Sequence, residues 1–152
     1  MPAPGVWSRR DIEYRIPRAV LECDKLISIA PLRIDKGRPS LVLDNYRALT
    51  RPNATDVGSP DIVAMDLFGF HPAEYAVLGG THVFRNGSKT RHNLVLAGPI
   101  PSAVDAVGAA ILGLKPEQIG VLQMAGKRGF GEPNLNLVWR LGNNIRDAQI
   151  AS

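Results

Sequence analysis

The dipeptide Asn86-Gly87 lies between two strand-like runs, Thr81–Arg85 and Ser88–Ala97. Both of its residues tolerate the positive φ that a two-residue type I′ turn demands, so the segment reads as a β-hairpin and obliges the fold to contain an antiparallel strand pair. The second strand passes through Pro99 and Pro101 into a helical run, Ser102–Gly113, in which Ala103, Ala106, Val107, Ala110 and Ile111 form an apolar stripe. Gly108 lets that helix sit close to a sheet or to another helix. Ser102 and Asp105 have the spacing of a weak capping box, Gly113 stands where a left-handed terminating residue is expected, and Pro116 opens a further helix that ends before Gly126.

The remaining pattern fills in a sheet and its helices. Leu26–Ala30 predicts a short buried strand closed by Pro31, preceded by a helical turn or two over Pro17–Cys23 and followed by a charged loop from Leu32 to Pro39. Ser40–Leu49 reads as a helix, although its Leu41–Leu43 core fits a strand equally well. Residues 51–60 read as loop, Asp61–Asp66 as a second short strand, His71–Leu78 as a short helix and Leu135–Leu141 as a last strand. Helices alternating with short strands predict an α/β fold, a mixed sheet with flanking helices and one β-hairpin. At 152 residues the chain suits a single domain, placed over 11–148 after a flexible arm at 1–10.

Charge and cysteine content narrow the function classes. The net charge of +4 comes entirely from residues 1–51, which hold ten Lys or Arg against six Asp or Glu. Such a surface steers an anionic partner, but no long cationic run or aromatic alternation points to nucleic acid. The one cysteine, Cys23, excludes an internal disulfide, and a nucleophilic role for it needs a base beside it in space. His71, His82 and His92 are too widely spaced for a local metal motif. With no apolar leader segment and no run of membrane-spanning length, the chain reads as a soluble cytoplasmic protein without membrane contact.

The order of elements from Leu94 to Gly142 resembles the carboxyl-terminal part of the DUF362 family, uncharacterised bacterial and archaeal proteins. The residues that carry the resemblance are Pro101, Ser102, Ala103, Asp105, Gly113, Pro116 and the pair Gly129 and Gly131. A weaker match runs through Cys23-Asp24, Leu26–Ala30, Arg33, Asp35 and Asp44-Asn45, with Asp66 at the place of the family's next acidic residue. Arg33, Asp35 and Asp44 depart from the family's lysine, histidine and lysine, and the cluster-binding cysteines are missing. Because family members are sometimes joined to a ferredoxin-like segment, the resemblance implies a redox-associated role.

Candidate site residues follow from both lines of reading. Arg33 and Asp35, with Lys36, come after the first strand, where an open α/β sheet places ligand contacts, and Asp66 closes the second. The resemblance singles out Asp105, which also has the position of a capping residue. Lys127, Arg128, Gly129 and Gly131 form the loop most able to cradle a phosphate or acidic group. The expected function is an uncharacterised small-molecule or cofactor-binding domain, with an anionic small molecule as ligand. The alternative is a non-catalytic interaction or assembly module that contacts a protein partner or a second copy. No catalytic residue, metal or cofactor is specified by these residues.

Overall fold

A computed structural model of the chain describes residues 2–4, 13–50 and 59–150. The elements in order are β1 (Pro2–Pro4), β2 (Glu13–Arg15), α1 (Arg18–Glu22), β3 (Ile27–Asp35), β4 (Arg38–Ser40), a 3₁₀ segment (Leu43–Leu49), α2 (Pro60–Phe70), β5 (Tyr75–Arg85), β6 (Ser88–Gly98) and α3 (Pro101–Ile111). A 3₁₀ turn (Pro116–Gln118), α4 (Gly120–Lys127), a second 3₁₀ turn (Leu135–Leu137) and α5 (Ile145–Ala148) complete the chain. Of the arm expected at 1–10, positions 1 and 5–10 lie outside the described residues, while Pro2–Pro4 pair antiparallel with Glu13–Arg15.

The main sheet has the order β4-β3-β5-β6, with β3 and β5 parallel and the two outer pairings antiparallel. It is the mixed sheet of an α/β fold. The hairpin at Asn86-Gly87 forms as expected, both residues having positive φ (48° and 83°). A second hairpin of the same kind joins β3 to β4 through Lys36 (φ 49°) and Gly37 (φ 76°), where a charged loop was expected. Because β3 and β5 run parallel, the two hairpin tips meet: Lys36 N–H donates to Asn86 Oδ1 at 2.8 Å, and Asn86 N–H to the Ile34 carbonyl at 3.0 Å.

Several local expectations are corrected by the tertiary structure. Pro31 does not end its strand, because it sits at the break in register between Ala30 and Leu32, where the ladder needs no N–H from it. Asp61–Asp66 belongs to a helix, α2, which starts with Pro60 in its first turn. Residues 75–78, expected to be helical, lie in β5 beside β3 and β6. Leu135–Leu141 forms no strand; Leu135 and Val138 pack inward, while Leu137, Trp139 and Leu141 are exposed.

The core has two clusters, and α3 supplies buried side chains to both. Ala106 joins Tyr14, Tyr46, Met65, Phe68 and Leu122 in one. Val104, Val107 and Ile111 join Leu32, Ile34, Leu78 and Val83 on the inner face of the sheet in the other. As the sequence predicts, Gly108 permits this approach, for a Cβ there would run into Leu78 Cδ2. Gly79 is more constrained: its φ is +118°, and a Cβ would strike the backbone carbonyl of Leu94 on β6. Gly79→Ala should therefore cost about 2 kcal/mol, read as a lower midpoint in urea denaturation with an unchanged slope.

Candidate functional site

Asp105 projects from α3 into the core and is 2% exposed. Its Oδ1 accepts the N–H of Val42 and its Oδ2 the N–H of Leu43, both at 2.9 Å. The carboxylate thus caps the 3₁₀ segment Leu43–Leu49, whose Val42 cap has no side-chain acceptor of its own. Burial pushes its pKa up to about 7, against the pull of the Leu43 and Val42 amides, and the nearby Asp44 charge adds to the rise. The capping box with Ser102 does not form. Helix α3 is capped two residues earlier, at Ile100, and the Ser102 hydroxyl instead donates to the Phe130 carbonyl at 2.6 Å.

Asp66 lies in α2, not at a strand end, and its side chain is fully buried. Tyr14 Oη donates to its Oδ2 at 2.9 Å and Arg128 to its Oδ1 at 3.1 Å. Burial, reinforced by the hydrogen bond to Asp66 and its charge, holds the Tyr14 hydroxyl well above the ordinary tyrosine range. This ion pair ties α2 to the end of α4.

The Lys127–Gly131 loop terminates a helix. Gly129, at φ +76°, follows the Arg128 cap; its N–H bonds to the Gly126 carbonyl at 3.2 Å, and Phe130 N–H to the Ala125 carbonyl at 2.9 Å. These are the two bonds of a Schellman motif, so the amides that would cradle an anion are turned onto helix carbonyls. Lys127 is exposed beside them, and Gly131 lies against Ser102, where any side chain would collide with its hydroxyl. An anion at this negative end of the helix dipole would also be disfavoured.

Arg33 and Asp35 stand on neither a crevice nor a loop. They occupy the exposed, odd-numbered face of β3, with the Arg33 guanidinium 5.3 Å from the centre of the Phe84 ring. The candidate residues are therefore divided among a capping carboxylate, a buried ion pair with its adjacent helix end, an open sheet face and, for Lys36, the tip of the β3–β4 hairpin.

Sequence reasoning missed a cleft of about 220 Å³ bounded by Gly37–Pro39, Leu41, Asp44, Asp61, Asp105 and Gln118–Leu122. Arg38 crosses it, 2.8 Å from Asp61 and 3.7 Å from Asp44. Asp44 also accepts from Arg47 at 2.6 Å and from Ser40 at 2.7 Å. Asp61 reaches the start of α4 because Gly120 has no side chain: a Cβ there would be 2.5 Å from Asp61 Oδ2. Positions 38, 44, 61 and 120 share no local pattern, which is why no motif exposed them. Cys23 does have a histidine nearby, with His71 Nε2 3.5 Å from its Sγ, while the thiol is also 3.2 Å from the Val20 carbonyl. Among the described residues no three His, Cys, Asp or Glu side chains are arranged to hold a metal ion.

The outer face of the sheet is apolar and exposed over part of its area. Strand β3 alternates regularly, with Ser28, Ala30, Leu32 and Ile34 buried and Ile27, Ile29, Pro31, Arg33 and Asp35 outside. Cross-strand register puts Tyr75 beside Ile27, Val77 beside Ile29, Ala97 on the far side of Val77, and Val95 beside Gly79. Among the described residues Ile29 remains 68% exposed, Val95 64%, Ile27 56% and Tyr75 42%. Beyond the register breaks the same face becomes basic: Arg33, Phe84 and Lys89 form one row, and His82 and Arg91 the next.

No family model, curated protein or solved structure matches the chain. Among the described residues no helix is long and apolar enough to cross a membrane.

Proposed function

We propose that this chain is a non-catalytic protein-association module whose contact surface is the outer face of its sheet. The observation that supports this reading most strongly is that Ile27, Ile29, Tyr75 and Val95, all exposed, share one face of three neighbouring strands. Contiguous apolar surface of this kind marks contact sites, whereas isolated exposed apolar residues need no explanation. The parallel pair β3–β5 carries α3 on its inner face, whereas Ile27, Ile29 and Tyr75 on its outer face stay exposed. The small-molecule reading has less support, because its candidate side chains lie apart and the charged groups of the cleft are already engaged, Arg38 with Asp44 and Asp61 and Asp105 with the amides of Val42 and Leu43. Kinship with the DUF362 proteins remains part of the proposal, on the residues from Pro101 to Gly131 quoted for it.

The test is photo-crosslinking from the face itself. A benzophenone amino acid at position 29 or 95, in cells that carry the chain's own gene, should give a discrete protein adduct that the same group at exposed Glu117 does not. Failure at both positions would remove the reading. Ile29→Asp should abolish the adduct formed from position 95 yet change folding stability by no more than about 0.5 kcal/mol in thermal or urea denaturation, since the side chain it replaces is mostly in solvent.

A further inference from the structure

The outer face has two chemically different ends, and together they specify an occupant. At one end Ile27, Ile29, Val77, Val95 and Ala97 surround Gly79, giving a low aliphatic surface. At the other, Arg33, Lys89 and Arg91 stand with Asp35 as the opposing charge on β3. Among the described residues none of the three cations is in an ion pair. Arg33 lies over Phe84, and Arg91 bonds only weakly to Asn93 at 3.4 Å.

We propose that this face seats an amphipathic helix of another polypeptide, its apolar side chains on Ile27, Ile29 and Val95 and its carboxylates against Arg33, Lys89 and Arg91. The proposal rests on the association reading and names its partner. A helix is the occupant because the parallel pair β3–β5 already carries α3 on its inner face, and where parallel strands bury their second face it is ordinarily a helix that covers it. Gly79 and Ala97 keep the centre of the surface low enough for a helix to lie close. Acidity follows from charge complementarity, since three cations without ion partners gain little from a neutral surface and repel a basic one. A nucleic acid would satisfy the cations but leave the aliphatic end in water. A second copy would bring the same excess of cations to the contact.

The probe is a synthetic amphipathic helical peptide with leucines along one face and glutamates at one end, its binding followed by fluorescence anisotropy beside a twin with lysines in place of the glutamates. The acidic peptide should bind at least about tenfold more tightly than its twin, and the preference should shrink with added salt. Lys89→Glu with Arg91→Glu should reverse the preference, while Ile29→Asp should weaken both peptides. Equal affinities, no binding of either peptide, or a preference that survives the double charge reversal overturns the acidic-helix assignment. So does self-association of the wild-type chain that Ile29→Asp abolishes, or binding of a single-stranded oligonucleotide that Ile29→Asp leaves unchanged and the charge reversal abolishes. If adducts still form from positions 29 and 95 after such a result, the association reading stands and only its partner is wrong; if those are absent too, both fail.

Discussion

Asp105→Ala is expected to lower the folding free energy by about 4 kcal/mol, because it leaves the buried amides of Val42 and Leu43 without acceptors and each such loss costs on the order of 1–3 kcal/mol. Asp105→Asn keeps the shape but offers one acceptor oxygen, so it should recover part of that loss. The pH dependence has a definite sign. Burial raises the native pKa from 3.8 to about 7, so the group's favourable contribution is fully present below the unfolded value and is lost as pH rises through the native one. The stability of the wild type relative to Asp105→Asn should accordingly fall between about pH 4 and pH 7, by up to about 4 kcal/mol at 1.36 kcal/mol per unit. Urea denaturation of both proteins across that range provides the check, and the comparison cancels the titration of the other carboxylates. A gap that widens with rising pH would mean that the amides of Val42 and Leu43 outweigh burial.

The second large effect is expected at the buried pair. Arg128→Met strands the Asp66 carboxylate in the core with Tyr14 as its partner from that contact, and should cost about 3–5 kcal/mol. Combining it with Asp66→Leu removes the stranded charge and should restore a substantial part of the stability, since an apolar pair of similar size avoids the desolvation of both ions. A double-mutant cycle by thermal or urea denaturation measures this directly. If the two losses simply add, the pair is not coupled, and the attachment of α2 to α4 depends on packing around Phe68 and Leu122 instead.

What could be read from the sequence was whatever depends on neighbours in the chain. Asn86-Gly87 fixes its turn through the φ values of two adjacent residues, Gly113 ends α3 locally, and the small residues of Ala103–Ile111 act by their own size. The failures occurred where distant contacts decide. Pro31 stays within a strand because the partner strand β5 breaks register opposite it. Asp61–Asp66 is short and apolar enough for either periodicity, and it becomes helix because Met65 and Phe68 pack in one cluster while Asp66 finds Tyr14 and Arg128. The position of Asp105 was legible and its role was not, since its acceptors serve amides 62 and 63 residues away in sequence. The alternation of Leu137, Trp139 and Leu141 resembles a strand, but among the described residues no neighbouring strand takes it up.

The placement of α3 between the two core clusters also predicts how the domain comes apart. Ala106 belongs to one cluster and Val107, its neighbour, to the other, so neither cluster can disassemble while this helix keeps its seat. Amide hydrogens in the middle of α3 should then exchange with deuterium only through complete unfolding, and their protection should equal the global free energy measured by denaturant. Strand β6, whose outer edge pairs with nothing among the described residues, should exchange sooner and through smaller openings. The helix that touches both clusters would thus make the chain a single cooperative unit.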